Sequence, residues 1–165
     1  MSSGSSRTPD PFHGLSDPVR IFRVVLLAAQ QLRYVMDRRL AEDSLTTQQA
    51  MLLSVLDLLG GSATLGEVAE KLAMTHQNVK QLAQSLAAKG FAEIEVDADD
   101  RRARRVRPTA QSRRFWKRRE RGDHAAIEEL MRDFSPEELA ILSRLLTKLT
   151  QAAAPVCRAL RAGSA

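Results

Sequence analysis

Apolar residues recur every three or four positions along most of the chain, which is the spacing of one buried face on an α-helix. In the first such segment Asp17 and Pro18 form a helix start, because a proline at the first turn loses no hydrogen bond. Apolar residues then follow at helical spacing from Ile21 to Met36. The pattern predicts a long first helix over about 18–41.

Three shorter helices are predicted next, each preceded by capping residues. Thr46 with Gln49, and Thr64 with Glu67, have the spacing of capping boxes, in which two side chains satisfy the free amides of a helix start. Thr75 can cap the third of these helices, and glycines follow the first and the last of them. The predicted helices cover about 47–59, about two turns after Thr64, and the segment from Thr75 to Gly90.

The period changes to two in the run AEIEV, where Ile94 and Val96 alternate with two glutamates. This alternation predicts a half-buried strand. The acidic residues that follow favour a turn, and residues 103–107 can return as a second strand, at whose end Pro108 stops the pairing. The segment is predicted to be a β-hairpin with an arginine-rich tip and return strand.

Two long helices complete the predicted order. Thr109 can cap a fifth helix that runs to about Asp133, and Ser135 with Glu138 forms a capping box for a last, strongly apolar helix. Pro155 is expected to kink or fray the end of that helix.

A tight pair of short helices followed by a hairpin is the order of a winged helix-turn-helix. Leu and Ala dominate and aromatic residues make up only 4% of the chain, which favours helix packing over a sheet sandwich. We therefore predict a mainly α protein with a small β-hairpin wing. Residues 1–15 form a flexible tail in this prediction, residues 16–160 a single domain, and residues 45–109 its winged helix-turn-helix.

Charge is concentrated in one part of the chain. The whole chain has a net charge of +5, yet residues 75–121 hold thirteen Lys or Arg and six Asp or Glu, which sum to +7, so the other residues sum to −2. A local positive field of this kind indicates a polyanion partner such as nucleic acid. No apolar run approaches the roughly 20 residues that cross a bilayer, so a cytoplasmic protein is expected.

The predicted helix after Thr75 has an unusual polar face. No carboxylate occurs from Thr75 to Lys89, and amide side chains can bond bidentately to adenine in the major groove. The alternative interpretation is an ordinary solvated face. The same two interpretations, phosphate contact or solvated face, apply to the basic run 113–121. The candidate DNA-binding residues of the helix are Thr75, His76, Gln77, Asn78, Lys80 and Gln81.

The stretch from LTTQQAMLL through TLGEVAEKLAMTHQNVKQLAQSLAAKGFAEIEVDADDRRARRVRPT resembles the MarR family of bacterial transcription regulators. The family's Asp-x-Arg wing pattern falls on Asp100, Arg101 and Arg102. The chain departs from the family at three positions, since a basic residue is frequent at Gln81, a Leu at Pro108 and a Gly at Ser112. The departures leave the hairpin intact as a prediction.

The resemblance implies a homodimer whose dimerisation helices lie at 17–42 and 110–160, with two winged lobes on a pseudo-palindromic operator of double-stranded DNA. It implies that the recognition helix enters the major groove, and that a wing arginine enters the minor groove with the help of the motif's aspartate. Repression of transcription is the action expected. The wing residues carried over as DNA-binding are Asp100, Arg101 and Arg102, together with Arg104 and Arg105.

Many members of the family are released from DNA by small lipophilic or phenolic effectors, and the ligand-binding candidates here are Tyr34 and Trp116. Both can equally be packing residues, and a regulator with no ligand response stays open. The lone Cys157 does not suggest a redox switch. No enzyme, metal or cofactor motif is present, so none is predicted. A helical protein-interaction adaptor is the remaining alternative, although an adaptor has no need for the wing arginines.

Overall fold

The computed structural model describes residues 12–162. Most of the predicted flexible tail, residues 1–11, lies outside the described residues. The chain divides into two compact units, Met1–Thr47 and Gln48–Ala165, which are described separately.

The first unit contains one long helix. Helix α1 spans Asp17–Leu40, close to its predicted bounds, and begins with the expected proline in its first turn. A short 3₁₀ turn, Ala41–Asp43, follows it, and Ser44 then adopts a left-handed conformation with φ 56°. The backbone N–H of Thr47 donates to Asp37 of α1 at 2.6 Å, so a side chain of the helix fixes the chain where it leaves this unit.

The second unit begins with three helices whose apolar faces meet in one core. These are α2 (Thr47–Leu58), α3 (Leu65–Leu72) and α4 (His76–Ala88). The capping box of Thr64 and Glu67 is present at the start of α3, as predicted, with both reciprocal bonds made. The largest apolar side chains that are fully buried in this core are Leu52, Leu53, Leu56, Val68, Val79, Leu86 and Val106.

The second unit also contains a small antiparallel sheet, two of whose strands come directly after α4 in the chain. Strands β2 (Ala92–Val96) and β3 (Arg104–Pro108) form the predicted hairpin, and a further strand, β1 (Ala63–Thr64), pairs with β3 to give the order β1-β3-β2. Strand β1 was not predicted, because two residues are too few to show a period. Strand β3 is shifted by one residue from the predicted 103–107, because Pro108 pairs with Ala92 instead of stopping the pairing.

The strand residue Val96 departs from the prediction. It was expected to face inward with Ile94, but its side chain is 54% exposed. Val96 pairs with Arg104, one position beyond the last residue of β3 that pairs with β1, so the sheet is only two strands wide there. The hydrophobic alternation therefore continues past the edge of the core.

Two long helices complete the unit, α5 (Ala110–Met131) and α6 (Pro136–Ala162). Thr109 caps α5 and also donates from Oγ1 to the carbonyl of Gly90 at 2.7 Å, which ties the helix start to the end of α4. The predicted capping box of Ser135 and Glu138 is present at the start of α6. Pro155 lies inside α6, and the helix continues past it to Ala162 rather than ending there.

The mainly α fold with a small wing is therefore confirmed. Within residues 12–162, no helix combines the length and the hydrophobicity that crossing a membrane requires. The same part of the chain brings together no group of three or more His, Cys, Asp or Glu residues able to hold a metal ion.

Candidate nucleic-acid interface

Helix α4 buries one stripe and exposes the rest. Val79, Ala83 and Leu86 face the core, while Thr75 starts the helix by accepting a hydrogen bond from the backbone N–H of Asn78 at 3.2 Å. The outer side, called the amide face below, carries all of the predicted helix candidates in exposed positions. Its residues are Thr75, His76, Gln77, Asn78, Lys80, Gln81 and Gln84.

A buried glutamine holds α4 from behind. Gln49 of α2 is 4% exposed, and its amide nitrogen donates to Ser85 Oγ at 2.8 Å. Lys89 Nζ donates to the amide oxygen of Gln49 at 3.1 Å. The sequence predicts only a helix cap for Gln49, because its partners lie about forty positions away and meet it only after folding. This polar link fixes the position of α4 on α2.

The wing turn, residues 97–103, is built around the carboxylate of Asp97. Its Oδ1 accepts hydrogen bonds from the backbone N–H groups of Asp99 and Asp100, each at 3.0 Å. Its Oδ2 accepts a bond of 2.6 Å from Arg105 Nε, and that guanidinium also reaches the carbonyl of Ser62 at 3.4 Å. Asp97 is only 5% exposed, so the pair lies at the base of the wing.

These bonds perturb the titration of both partners. The Asp100 N–H, followed by the Arg105 guanidinium and the Asp99 N–H, stabilises the ionised carboxylate and lowers the pKa of Asp97 below its usual value. The hydrogen bond to Asp97 raises the pKa of Arg105. Asp97 was not among the predicted site residues, because a run of acids does not reveal which carboxylate turns inward.

The tip of the wing holds the motif residues. Asp100 Oδ1 accepts a hydrogen bond from the backbone N–H of Arg102 at 2.9 Å, so this acid shapes the turn. Arg104 Nη1 turns back to the carbonyls of Arg101 and Ala103, at 3.3 and 3.4 Å. The guanidinium groups of Arg101 and Arg102 are exposed and form no hydrogen bond or ion pair with any residue from 12 to 162.

On the strands of the hairpin, Arg107 forms hydrogen bonds with two carboxylates. Its Nε donates to Glu93 at 2.9 Å and its Nη2 to Glu95 at 2.7 Å, both across the strand pair. Exposed pairs of this kind contribute little to stability. The arrangement leaves the tip of the wing, rather than its strands, as the more positive part.

The basic run of α5 is partly engaged within the protein. Arg113 Nη1 donates to the carbonyl of Pro108 at 2.9 Å, and Arg119 pairs with Asp123 at 3.1 Å. The guanidinium groups of Arg118 and Arg119 lie 5.5 and 5.6 Å from the ring centroid of Phe115. The run is therefore not a uniform solvated face, because several of its members pack against the start of α5.

Trp116 lies beside a cavity of about 400 Å³ between α2 and α5. The ring is 5.0 Å from that of Phe115, edge to face, and its buried Nε1 meets no hydrogen-bond acceptor among the described residues. Tyr34, the other predicted ligand residue, belongs to α1 in the first unit and is exposed. The residues that line the cavity include Ser54, Asp57, Trp116, Glu120, Asp123 and His124.

Comparison with known proteins supports the winged helix-turn-helix class that the fold indicates. Residues 43–103 match a model of the MarR family. The resemblance predicted from the sequence is thereby confirmed over α2, the helix pair and most of the wing. A search of curated protein sequences finds no significant match to the chain.

Solved structures extend the likeness to nearly the whole chain. A MarR protein from Peptoclostridium difficile is 20% identical with a TM-score of 0.79, covering 96% of this chain and 99% of that one. An organohalide-sensing regulator, RdhR, in a 2,4-dichlorophenol-bound form is 19% identical with a TM-score of 0.76, covering 94% and 92%. A mutant MarR from E. coli complexed with operator DNA is 19% identical with a TM-score of 0.72, covering 80% and 94%. The chain has the fold of these MarR-family winged-helix regulators.

Proposed function

We propose that this chain is a bacterial, cytoplasmic transcription regulator that binds a specific operator in double-stranded DNA as a homodimer and represses transcription. The observation that carries the proposal is the amide face of α4, which is exposed and free of carboxylates, on a helix that Gln49 of α2 contacts from behind through a hydrogen bond to Ser85. Residues 16–160 act as one MarR-like domain in this proposal. The E. coli MarR mutant of the same fold is complexed with operator DNA.

The amide face supplies the base contacts. Gln77, Asn78 and Gln81 offer paired donors and acceptors that match the major-groove edge of adenine, and Lys80 offers a cation for phosphate. Thr75 and His76 lie at the N-terminus of α4, where backbone N–H groups and the helix dipole favour an anion such as phosphate. A helix with this surface can read sequence and backbone together.

The wing divides its arginines between two roles. The guanidinium groups of Arg101 and Arg102 have no partner among residues 12–162 and are free to enter a minor groove, where a narrow groove attracts guanidinium groups. Arg105 is tied to Asp97 and stabilises the wing base, while Arg104 is turned back on the tip. Arg102 is therefore the wing residue on which we place the groove contact.

The test of DNA binding is selection of bound duplexes from random-sequence DNA, followed by footprinting and salt titration. We expect two half-sites about one helical turn apart, because two related lobes meet successive grooves. We also expect affinity to fall steeply with salt, since released counterions drive binding by a positive surface. A single asymmetric footprint at saturation contradicts the dimer, and a flat salt dependence contradicts the electrostatic part of the proposal.

A second copy of the chain is the partner proposed for the long helices. Large apolar side chains are exposed along the end of α5 and along α6, and exposed apolar residues in such number favour an interface. Helix α1 exposes a similar set in the first unit. The exposed apolar residues of α5 and α6 are Ile127, Leu130, Leu139, Ile141, Leu145, Leu146, Leu149, Val156 and Leu160.

Oligomeric state tests this part of the proposal. Light scattering of the full chain is expected to give twice the mass of 18.3 kDa. Leu149→Glu places a charge in the apolar face of α6 and is expected to shift the equilibrium to monomers. Leu58→Glu changes a residue that is 75% exposed at the end of α2 and serves as the control. A monomeric wild-type chain, or equal dissociation of both variants, contradicts the assignment.

The cavity beside Trp116 is the site proposed for an effector. Trp116 lines this cavity together with acidic residues and His124, so the cavity suits a small aromatic ligand that also forms hydrogen bonds. RdhR, which shares the fold, has a form with bound 2,4-dichlorophenol. In this proposal a bound ligand moves α2 away from α5. Because Gln49 of α2 is hydrogen-bonded to Ser85 of α4, that movement changes the position of α4. Tyr34, in the first unit, stays a prediction from the sequence.

A further inference from the structure

The C-terminal end of α6 reaches the turn that precedes the recognition helix. Arg161, one residue before the end of α6, donates from Nη1 to the carbonyl of Ala69 and from Nη2 to the carbonyl of Glu70 at 3.2 Å. Both carbonyls belong to the last turn of α3. One guanidinium thus holds two consecutive carbonyls that are more than ninety residues away in the chain.

These two carbonyls also define the turn between α3 and α4. The backbone N–H of Met74 donates to Ala69 at 3.0 Å, and that of Ala73 donates to Glu70 at 3.3 Å. Ala73 has a φ of 54°, a left-handed conformation that is costly for a residue with a Cβ. A carbonyl oxygen can accept more than one hydrogen bond, so the bonds from Arg161 add to those that the turn already makes. The guanidinium therefore reinforces a strained turn from outside.

Close apolar packing does not hold the end of α6 against this turn. An open groove of about 810 Å³ separates them, lined by Met74, His76 and Leu160 among others. Leu160 is 69% exposed, so little of its surface is removed from water. A cation at the negative end of a helix dipole is favoured without such packing. The contact between α6 and α3 at this point thus relies on a polar side chain.

We propose that Arg161 is a positioning residue for DNA binding, which braces the turn between α3 and α4 and so orients the N-terminal end of α4. The proposal rests on the proposed function, because orientation matters only if Thr75, His76 and Gln77 meet DNA. Arg161 itself is not assigned a DNA contact, since its guanidinium is used on α3. Its effect is transmitted through the backbone of the turn.

The test compares three variants of the full chain on the duplex that the wild-type chain selects from random-sequence DNA. Arg161→Ala is expected to weaken binding by about three- to tenfold, which is the effect of losing one or two hydrogen bonds from an otherwise intact fold. Arg161→Lys keeps the charge and one donor at a time, and is expected to recover part of the loss. Arg158→Ala removes the same charge from the same end of α6. Among the described residues Arg158 has no hydrogen bond to α3, so the DNA affinity of this variant is expected to equal that of the wild type.

Salt dependence distinguishes bracing from direct contact. Removal of a side chain that binds phosphate lowers the slope of log affinity against log salt concentration by about 1. The slope of Arg161→Ala is expected to equal that of the wild type. Unchanged affinity of Arg161→Ala, a slope lowered by about 1, or an equal loss in Arg158→Ala overturns the proposal.

Hydrogen exchange tests the brace without DNA. The amides of Ala73 and Met74 are expected to exchange faster in Arg161→Ala than in the wild type or in Arg158→Ala, because the turn opens more often. Equal exchange in all three proteins overturns the brace. If the wild-type chain selects no duplex, the proposed function fails, and the exchange measurement still decides whether Arg161 holds the turn.

Discussion

The carboxylate of Asp97 and the guanidinium of Arg105 meet at 2.6 Å across the base of the wing, eight residues apart in the chain. Asp97 begins the wing turn and Arg105 lies on β3, so the pair joins the two ends of that turn. Since Arg105 also reaches the carbonyl of Ser62 just before β1, the same side chain links all three strands of the sheet. The wing tip is thus presented on a fixed base.

Asp97→Asn is expected to lower the free energy of unfolding at neutral pH, because the charge that Arg105 and the two turn amides stabilise is removed. The folded-state pKa of Asp97 is lowered, so its stabilisation is complete above the unfolded pKa, about 4, and is lost as pH falls through the lower folded value. Urea unfolding between neutral pH and about pH 2 measures both effects. The difference between wild type and variant is expected to shrink below about pH 4.

Asp99→Asn is the matched control for that prediction. It removes a neighbouring exposed carboxylate while keeping the backbone N–H that Asp97 accepts. We expect its unfolding curve to follow the wild type at every pH. If Asp97→Asn and Asp99→Asn behave alike, the pair of Asp97 and Arg105 at the wing base does not stabilise the protein.

Arg102→Ala is expected to cost about 1–3 kcal/mol in operator binding and to leave the thermal midpoint nearly unchanged. The proposed function places its guanidinium against DNA, and that group forms no hydrogen bond or ion pair with residues 12–162. Fluorescence anisotropy and thermal unfolding measure the two quantities. Arg132→Ala removes an equal charge from an arginine that pairs with Glu129 at the far end of α5. A comparable loss of folding stability in Arg102→Ala makes the residue structural, and equal binding losses in both variants make the effect one of net charge.

Gln81→Glu is expected to weaken operator binding by roughly tenfold or more, about 1.4 kcal/mol. The change preserves the shape of the side chain but places a carboxylate on the amide face, where it repels phosphate and loses a donor. Gln151→Glu makes the same change at an exposed position of α6 and is expected to bind normally. Binding titrations of both variants with one duplex provide the comparison, and an unaffected Gln81→Glu protein places the interface on another surface.

A ligand in the cavity is expected to change the emission of Trp116, which is the only tryptophan of the chain. Titration with 2,4-dichlorophenol, the compound bound to RdhR, is the direct test and is expected to lower DNA affinity as well. Ser54→Leu places a larger side chain in the cavity and is expected to abolish the effect of the ligand on emission and on DNA affinity, while DNA binding without ligand persists. A response that survives in Ser54→Leu locates the ligand elsewhere.

The helices and the hairpin could be predicted because their signals are local. Thr64 with Glu67, Thr109, and Ser135 with Glu138 bring their caps within three residues, so spacing alone identified these starts. The amide face could be predicted for the same reason, since a helical period decides which side of α4 faces outward. The sequence also showed that the wing is rich in arginine, but it did not show which arginine has which role.

What each of those arginines does was decided by the tertiary structure. Arg101, Arg102 and Arg105 have the same chemistry, yet only Arg105 is close enough to Asp97 for its guanidinium to be held there. The roles of Gln49 and Arg161 depend on partners about forty and ninety residues away.

By itself the sequence determined the helical class, the winged order of elements, the amide face of α4 and the concentration of positive charge, because periodicity, caps and charge act over a few residues. The tertiary structure decided which polar side chains are buried, which arginines are engaged, and that β1 and Pro108 belong to the sheet. Those outcomes depend on which surfaces pack together and exclude water. Packing of this kind joins residues that are far apart in the chain, so local patterns do not reveal it.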